Sequence, residues 1–166
     1  WMDLPREGAY LRRCREAVPG VTAVCKQGRH AHYNVFISMK KMSEGDPGRA
    51  AAAALTFDHT KNVFVFDDDI DVFNPTDILW AIATRVQPHR QVSILQPLFR
   101  GNFLDPSLVD EIKTSGMIVD ATKPLDRPFS PVSKCPDEAM ERIKLEEYVP
   151  GEVLQHIPMD RTTYWA

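Results

Sequence analysis

The sequence predicts an α/β protein: a three-layer α/β/α sandwich around a mostly parallel or mixed sheet, with a helical tail at its C-terminal end. Three observations predict it. Short β-rich runs alternate with helical segments in the order helix, strand, strand, helix, strand, helix, strand, helix, strand, which is the pattern of a sheet covered on both faces. Val63–Phe66 is continuously apolar, as a strand buried on both faces must be. Three helix starts pair an N-cap residue with a proline in the first turn: Asp46-Pro47, Asn74-Pro75 and Asp105-Pro106.

The elements follow in order. Residues 6–17 form a helix, with Tyr10, Leu11, Cys14 and Val18 on one face, and Pro19-Gly20 ends it. Val21–Lys26 and Tyr33–Met39 are strands, separated by a turn containing Gly28. Asp46 caps the next helix, which runs to about Phe57. Its five alanines, Ala50–Ala54, permit close approach to a sheet, and are equally a plain run of helix formers. Asn74 opens a helix with an apolar stripe of Ile78, Leu79, Ile82 and Val86. Val92–Leu95 is a strand, Asp105-Pro106 starts a helix ending near Gly116, and Met117–Val119 is the last strand. The domain so defined is 1–125. A proline-rich linker, 126–136, leads to a helical tail, 137–166, with a charged helix at 137–147 and an amphipathic piece around Val153–Ile157.

Composition excludes several functions. A chain of 166 residues suits one core, and 43% hydrophobic with 26% charged residues is ordinary for a globular domain. A net charge of −3 leaves no basic footprint for nucleic acid. No apolar run is long enough to span a membrane. Cys14, Cys25 and Cys135 are odd in number and scattered, which argues for packing thiols in a reducing, cytoplasmic setting. The opening Trp1-Met2-Asp3 is no natural start, so the chain reads as a fragment.

The densest chemistry is the acid cluster Asp67, Asp68, Asp69 and Asp71, between a strand and a helix. It fails as a calcium loop: counted from Asp67, Val72 stands at position six instead of glycine and Ile78 at position twelve instead of glutamate. Two carboxylates there could hold Mg²⁺ with a phosphate. The plainer reading is architectural: acids favouring a helix N-terminus, with Arg85 as partner for one of them. His30-Ala31-His32 could begin a zinc site but has no nearby third ligand. Nucleotide-binding glycine motifs and a G-x-S-x-G elbow are absent.

Several stretches resemble the C-terminal domain of the UbiD-type decarboxylases. They are "PGVTAV", "NVFISMKK" with the alanine helix, "FVFDDDIDVFNPTDILWAIATRVQP", "FLDPSL", "GMIVDATKPLDRPF" and "AMERIKLEEY". The resemblance implies reversible, non-oxidative decarboxylation of aromatic or α,β-unsaturated acids on prenylated FMN, with Mn or Mg and K in the full-length enzyme. It implies a flavin-binding N-terminal domain as missing partner, and a homodimer or higher oligomer. The family's catalytic arginine and the paired glutamates of a P-E-G-P-F-G-E-like segment have no counterpart here, and Glu7 and Glu16 sit in no such motif. The resemblance therefore implies no catalytic, flavin-binding or metal-binding residue in this chain. It assigns Lys26, Thr84, Lys123, Pro124 and Leu125 to one wall of the substrate cleft, and the tail to the dimer contact. A cation at Lys123 suits a substrate with an extra polar or anionic group; a solvent-facing loop lysine is the plain alternative. Two other functions stay open: a non-catalytic oligomerising or binding module, and a small Mg-dependent phosphate-binding enzyme using Asp67 and Asp69.

Overall fold

The computed structural model describes residues 3–26, 33–57, 59–100, 105, 107–108, 113–133, 136–144 and 147–154. Its contacts divide the chain into two units, Trp1–Arg127 and Pro128–Ala166.

The first unit opens with α1 (Asp3–Ala17), which buries Tyr10 and Cys14 against the sheet. Arg15 near its end donates to the carbonyls of Val21 and Thr22, tying helix to first strand. β1 (Val21–Cys25) pairs antiparallel with β2 (Asn34–Met39). At their junction the Lys40 N–H donates to the Gly20 carbonyl. A Cβ at Gly20 would overlap the Lys40 carbonyl oxygen, so a side chain cannot be placed there without parting the strands. α2 (Asp46–Leu55) crosses to β3 (Asn62–Asp67), which runs parallel to β2. α3 (Pro75–Arg85) and the one-turn α4 (Pro88–Gln91) lead to β4 (Val92–Arg100) and then β5 (Lys113–Ala121).

The strand order is β1-β2-β3-β5-β4. The two inner pairs are parallel and the two outer pairs antiparallel, so the sheet is mixed. Alternation along the strands builds one core on each face. Val35, Ile37, Met39, Val63 and Val65 meet α1 and α2. Phe36, Phe66 and Ala121 meet Ile70, Val72, Ile78 and Ala81 on the α3 side. Each of the valine, isoleucine, methionine and phenylalanine side chains stabilises the fold by about 1.5–3 kcal/mol when fully buried. The alanine run is a packing surface: Ala50, Ala51 and Ala54 are fully buried, whereas Ala52 is exposed.

Some local expectations change. Asp46 is the first residue of α2, not its cap; Gly45 holds the cap position. The Asp46 carboxylate reaches back to the N–H groups of Met42 and Ser43, and so ties the preceding turn. The helix expected up to Gly116 is absent from residues 113–116, which belong to β5 and pair with β4. Asp105 accepts from the Ser107 N–H and hydroxyl and from Lys61, a local turn bond in place of a helix cap. β4 accordingly runs past Leu95 to Arg100, with an irregularity in its pairing between Leu95 and Phe99.

In the second unit α5 is Asp137–Arg142, shorter than the 137–147 expected, because Ile143 leaves it in extended backbone. α6 is Gly151–Leu154. Ile143, Tyr148 and Val153 of this unit are exposed. His30, His32, Cys135 and residues 155–157 lie outside the described residues. Among the described residues no helix is long and apolar enough to cross a membrane.

Candidate functional site

β2, β3 and β5 end side by side, with Met39 opposite Asp67 and Phe66 opposite Ala121. The C-terminal edge of parallel strands is where open α/β sheets place ligands. Here each strand delivers a charge to that edge: Lys41 after β2, Asp67 and Asp69 from β3, Lys123 after β5.

Arg85 joins them. It stands in the last turn of α3, where a cation complements the helix dipole. Asn74 starts that helix by accepting the Thr76 N–H, and Asp71 accepts the Phe73 N–H in the turn before it. The Arg85 side chain is 1% exposed. Its Nη1 donates to Asp67 Oδ2 at 3.1 Å and to Asp69 Oδ1 at 2.9 Å, while Nη2 donates to Asp69 Oδ2 at 2.9 Å. This two-point fork on Asp69 is the strong geometry for guanidinium and carboxylate. The guanidinium also lies 5.4 Å from the centre of the Trp80 ring.

Lys123 closes the network. Its N–H donates to Asp67 Oδ2 at 2.8 Å, and its Nζ donates to Asp69 Oδ2 at 2.8 Å. Its carbonyl accepts from Lys41 Nζ at 3.0 Å, and Lys41 pairs with Glu44. Glu44 in turn accepts the Leu125 N–H at 2.6 Å, and Asp120 accepts from the N–H and hydroxyl of Thr122. The loop 122–125 is thus strapped to the edge by its main chain.

The two central carboxylates shift in opposite directions. The Arg85 fork, helped by Lys123, holds Asp69 down at about 2. Burial lifts Asp67 above the ordinary carboxylate value, although the Lys123 N–H and the charges of Arg85 and Lys123 pull the other way. Bonds from Lys41 and Leu125 lower Glu44. The depressed Asp69 stabilises the fold above the ordinary carboxylate value and loses that contribution as pH falls through about 2. Asp69→Asn is therefore expected to cost about 1 kcal/mol at neutral pH, a figure kept small because the side chain is 40% exposed. Thermal melts should show the difference from wild type shrinking between about pH 4 and pH 2. A difference independent of pH would contradict this assignment.

The structure separates the residues assigned to the cleft wall. Lys123, half-buried Pro124 and exposed Leu125 share the strapped loop. Thr84 is exposed beside Arg85, and its hydroxyl donates to the Trp80 carbonyl of its own helix. Lys26 sits elsewhere. It follows Cys25, which pairs with Phe36 near the start of β2, at the opposite end of the sheet from Lys123. Its side chain is buried, with Nζ donating to the His59 carbonyl and lying 5.2 Å from the Tyr10 ring centre. Lys26 and Lys123 therefore do not line a common wall within this chain. Asp68 is exposed. Lys41 closes the stretch NVFISMKK, but neither it nor Glu44 was singled out as a site residue in the sequence; only their place after β2 pointed to the edge.

A divalent ion at Asp67 and Asp69 would have to displace two cations already bonded there. Among the described residues no group of three His, Cys, Asp or Glu is placed to hold a metal. Two cavities lie along α1. One, of about 450 Å³, is lined by Gly8, Leu11, Arg12, Arg15 and Glu16. The other, of about 160 Å³, is lined by Arg6, Ala9, Tyr10, Phe57 and His59. Neither touches the strand edge.

Residues 1–121 match the family model of the 3-octaprenyl-4-hydroxybenzoate carboxy-lyase C-terminal domain, UbiD_C. The chain belongs to the UbiD family. An anhydromevalonate phosphate decarboxylase of Aeropyrum pernix is 40% identical over 127 residues, covering 75% of this chain and 29% of that protein. A phenolic acid decarboxylase of Sedimentibacter hydroxybenzoicus is 35% identical over 128 residues, covering 75% and 26%. Among solved structures, the UbiD-class enzyme HmfF from Pelotomaculum thermopropionicum in complex with FMN superimposes with a TM-score of 0.73 at 36% identity, over 87% of this chain and 32% of that one. An evolved dimeric form of the same enzyme, in complex with prFMN, gives 0.66 at 34% identity, over 87% and 29%. This UbiD-family chain therefore spans about a third or less of the proteins it matches. The matched region contains every element from α1 to β5, and the strapped loop follows directly after it.

Proposed function

We propose that this chain is the cleft-wall and assembly part of a longer UbiD-type carboxy-lyase, which reversibly and non-oxidatively decarboxylates aromatic or α,β-unsaturated acids on prenylated FMN. The observation that carries this reading is the likeness of 87% of this chain to a UbiD-class enzyme in complex with FMN. Two of its relatives are an anhydromevalonate phosphate decarboxylase and a phenolic acid decarboxylase, which supports the reaction class. In this reading the flavin and any Mn, Mg or K ions rest on residues outside the chain. The chain's own residues shape the cleft: the loop 122–125 orients the acid and helps to exclude water, the two services a protein renders to a cofactor that carries the hard chemistry. A reducing, cytoplasmic setting fits the buried Cys14 and Cys25. A Mg-dependent phosphate site at Asp67 and Asp69 is disfavoured, since Arg85 and Lys123 already occupy both acids.

The 166-residue chain alone, supplied with prenylated FMN and a panel of aromatic acids, is expected to show no turnover. The complete enzyme loaded with the same cofactor is expected to decarboxylate at least one of them. Turnover by the chain alone contradicts the division of labour. An inactive, fully loaded enzyme contradicts the reaction class and favours a purely assembling module.

The tail is assigned to assembly. Ile143, Tyr148 and Val153 are exposed in the second unit, and covering each apolar side chain across a two-fold contact would contribute up to about 1.5–3 kcal/mol. Light scattering is expected to give a dimer or larger assembly for the full chain and a smaller species for a chain ending at Ser133. A monomeric full chain, or an assembly unchanged by the truncation, would contradict this role.

A further inference from the structure

We infer that Asp69 is a positioning residue: it holds the Lys123 ammonium ready for an anionic or strongly accepting group that the substrate carries besides its departing carboxylate. The inference rests on the proposed cleft role of this strand edge and names what that edge selects. The loop does not need the Lys123 side chain to stay in place. Its main chain is already held at both faces of residue 123, by Asp67 on the N–H and Lys41 on the carbonyl. The side-chain bond to Asp69 is additional, and what it fixes is the direction of the ammonium.

That direction is inherited from the core. Arg85 is buried and bonded to Asp67; its fork sets both oxygens of Asp69; Asp69 sets Lys123. A free lysine side chain must give up rotamer freedom to bind a ligand, and ordering it beforehand removes much of that cost. An ammonium has three donors. Asp69 accepts one, and the side chain is 38% exposed, so the others can serve a ligand. Asp67, Asp69, Arg85 and Lys123 together sum to zero charge. Selection then comes from one directed, charge-assisted hydrogen bond and not from a positive field.

The test uses the complete, cofactor-loaded enzyme and a pair of acids, one with a second anionic or phenolic group and a matched one without it. Lys123→Met and Asp69→Asn are each expected to raise KM for the first acid at least about tenfold more than for the second, as loss of a charged hydrogen bond should. The loss should fall on KM rather than kcat, and the double variant should be no worse than Lys123→Met alone. Equal losses for both acids, or additive losses in the double variant, overturn the inference.

A second arm does not depend on the reaction. In the 166-residue chain labelled with ¹⁵N-lysine, the Lys123 ammonium, assigned with Lys123→Arg, should give a resolved signal that inorganic phosphate shifts and Asp69→Asn abolishes. A missing wild-type signal, a signal indifferent to phosphate, or one that survives Asp69→Asn overturns the positioning role whatever acid the enzyme uses. If Asp69→Asn fails to fold, the wild-type signal with phosphate and the Lys123→Met substrate pair still decide. An enzyme that turns over neither acid removes the proposed function, and this arm then stands alone.

Discussion

Replacing Arg85 by methionine is expected to destabilise the first unit by about 3–5 kcal/mol, the cost of stripping one partner from a buried ion pair. The side chain is 1% exposed and serves two carboxylates, of which Asp67 is only 12% exposed. Methionine fills much of the volume and supplies no donor. Asp67 would keep the Lys123 N–H but lose its cation, and Asp69 would retain only Lys123. For a domain of this size the loss corresponds to a fall in melting temperature on the order of 10 °C or more. The sign of the pH dependence follows from Asp67. Burial already raises its carboxyl, and removal of Arg85 raises it further. A carboxyl raised in the folded state opposes folding once it ionises, so the penalty should be largest at neutral pH and shrink as acid protonates Asp67. Arg85→Lys should fall between wild type and methionine, because an ammonium cannot reproduce the fork on Asp69. Thermal melts of the three proteins at neutral pH and at about pH 4 test all of this. Equal stability of wild type and Arg85→Met, or a penalty that grows in acid, would show that the network does not support the fold.

Phe66→Ala is expected to cost a similar amount, about 3–5 kcal/mol, through the cavity it leaves. Phe66 is fully buried in the α3-side core, among Phe36, Ile70, Val72, Ile78, Ala81 and Ala121. It directly precedes Asp67, so it is part of the floor beneath the charged edge. The opposite core is larger, built from α1, α2 and the three strands β1, β2 and β3, and should survive. The damage is therefore expected to be uneven. Hydrogen exchange should show α3 amides losing protection while α2 amides keep theirs. Phe66→Leu should cost less than about 1.5 kcal/mol, because most of the volume is kept. Uniform loss of protection, or a negligible cost for alanine, would refute this partition of the core.

What could be read without a structure was what neighbouring residues decide. Asn74 and Pro75 start α3 because the cap needs only an acceptor two residues ahead of a free N–H. The run Val63–Phe66 announced a strand covered on both faces, and Phe66, Val65 and Val63 are buried. Arg85 was readable as a partner for the acids from one helix length of spacing, though not that it would bond both Asp67 and Asp69. Local chemistry also misled where one residue type has two uses. An aspartate before proline can cap a helix or close a turn, and Asp105 closes a turn. The rest depended on strand order. Lys123 meets Asp69 across 54 residues and Leu125 meets Glu44 across 81, because β2, β3 and β5 happen to end together. Lys26, assigned to the same wall by the resemblance, is carried to the far end of the sheet. Caps, turns and strand periodicity are short-range and written in the sequence itself. Which distant charges share an edge is settled only when the two cores bury their apolar faces and thereby choose the order of the strands.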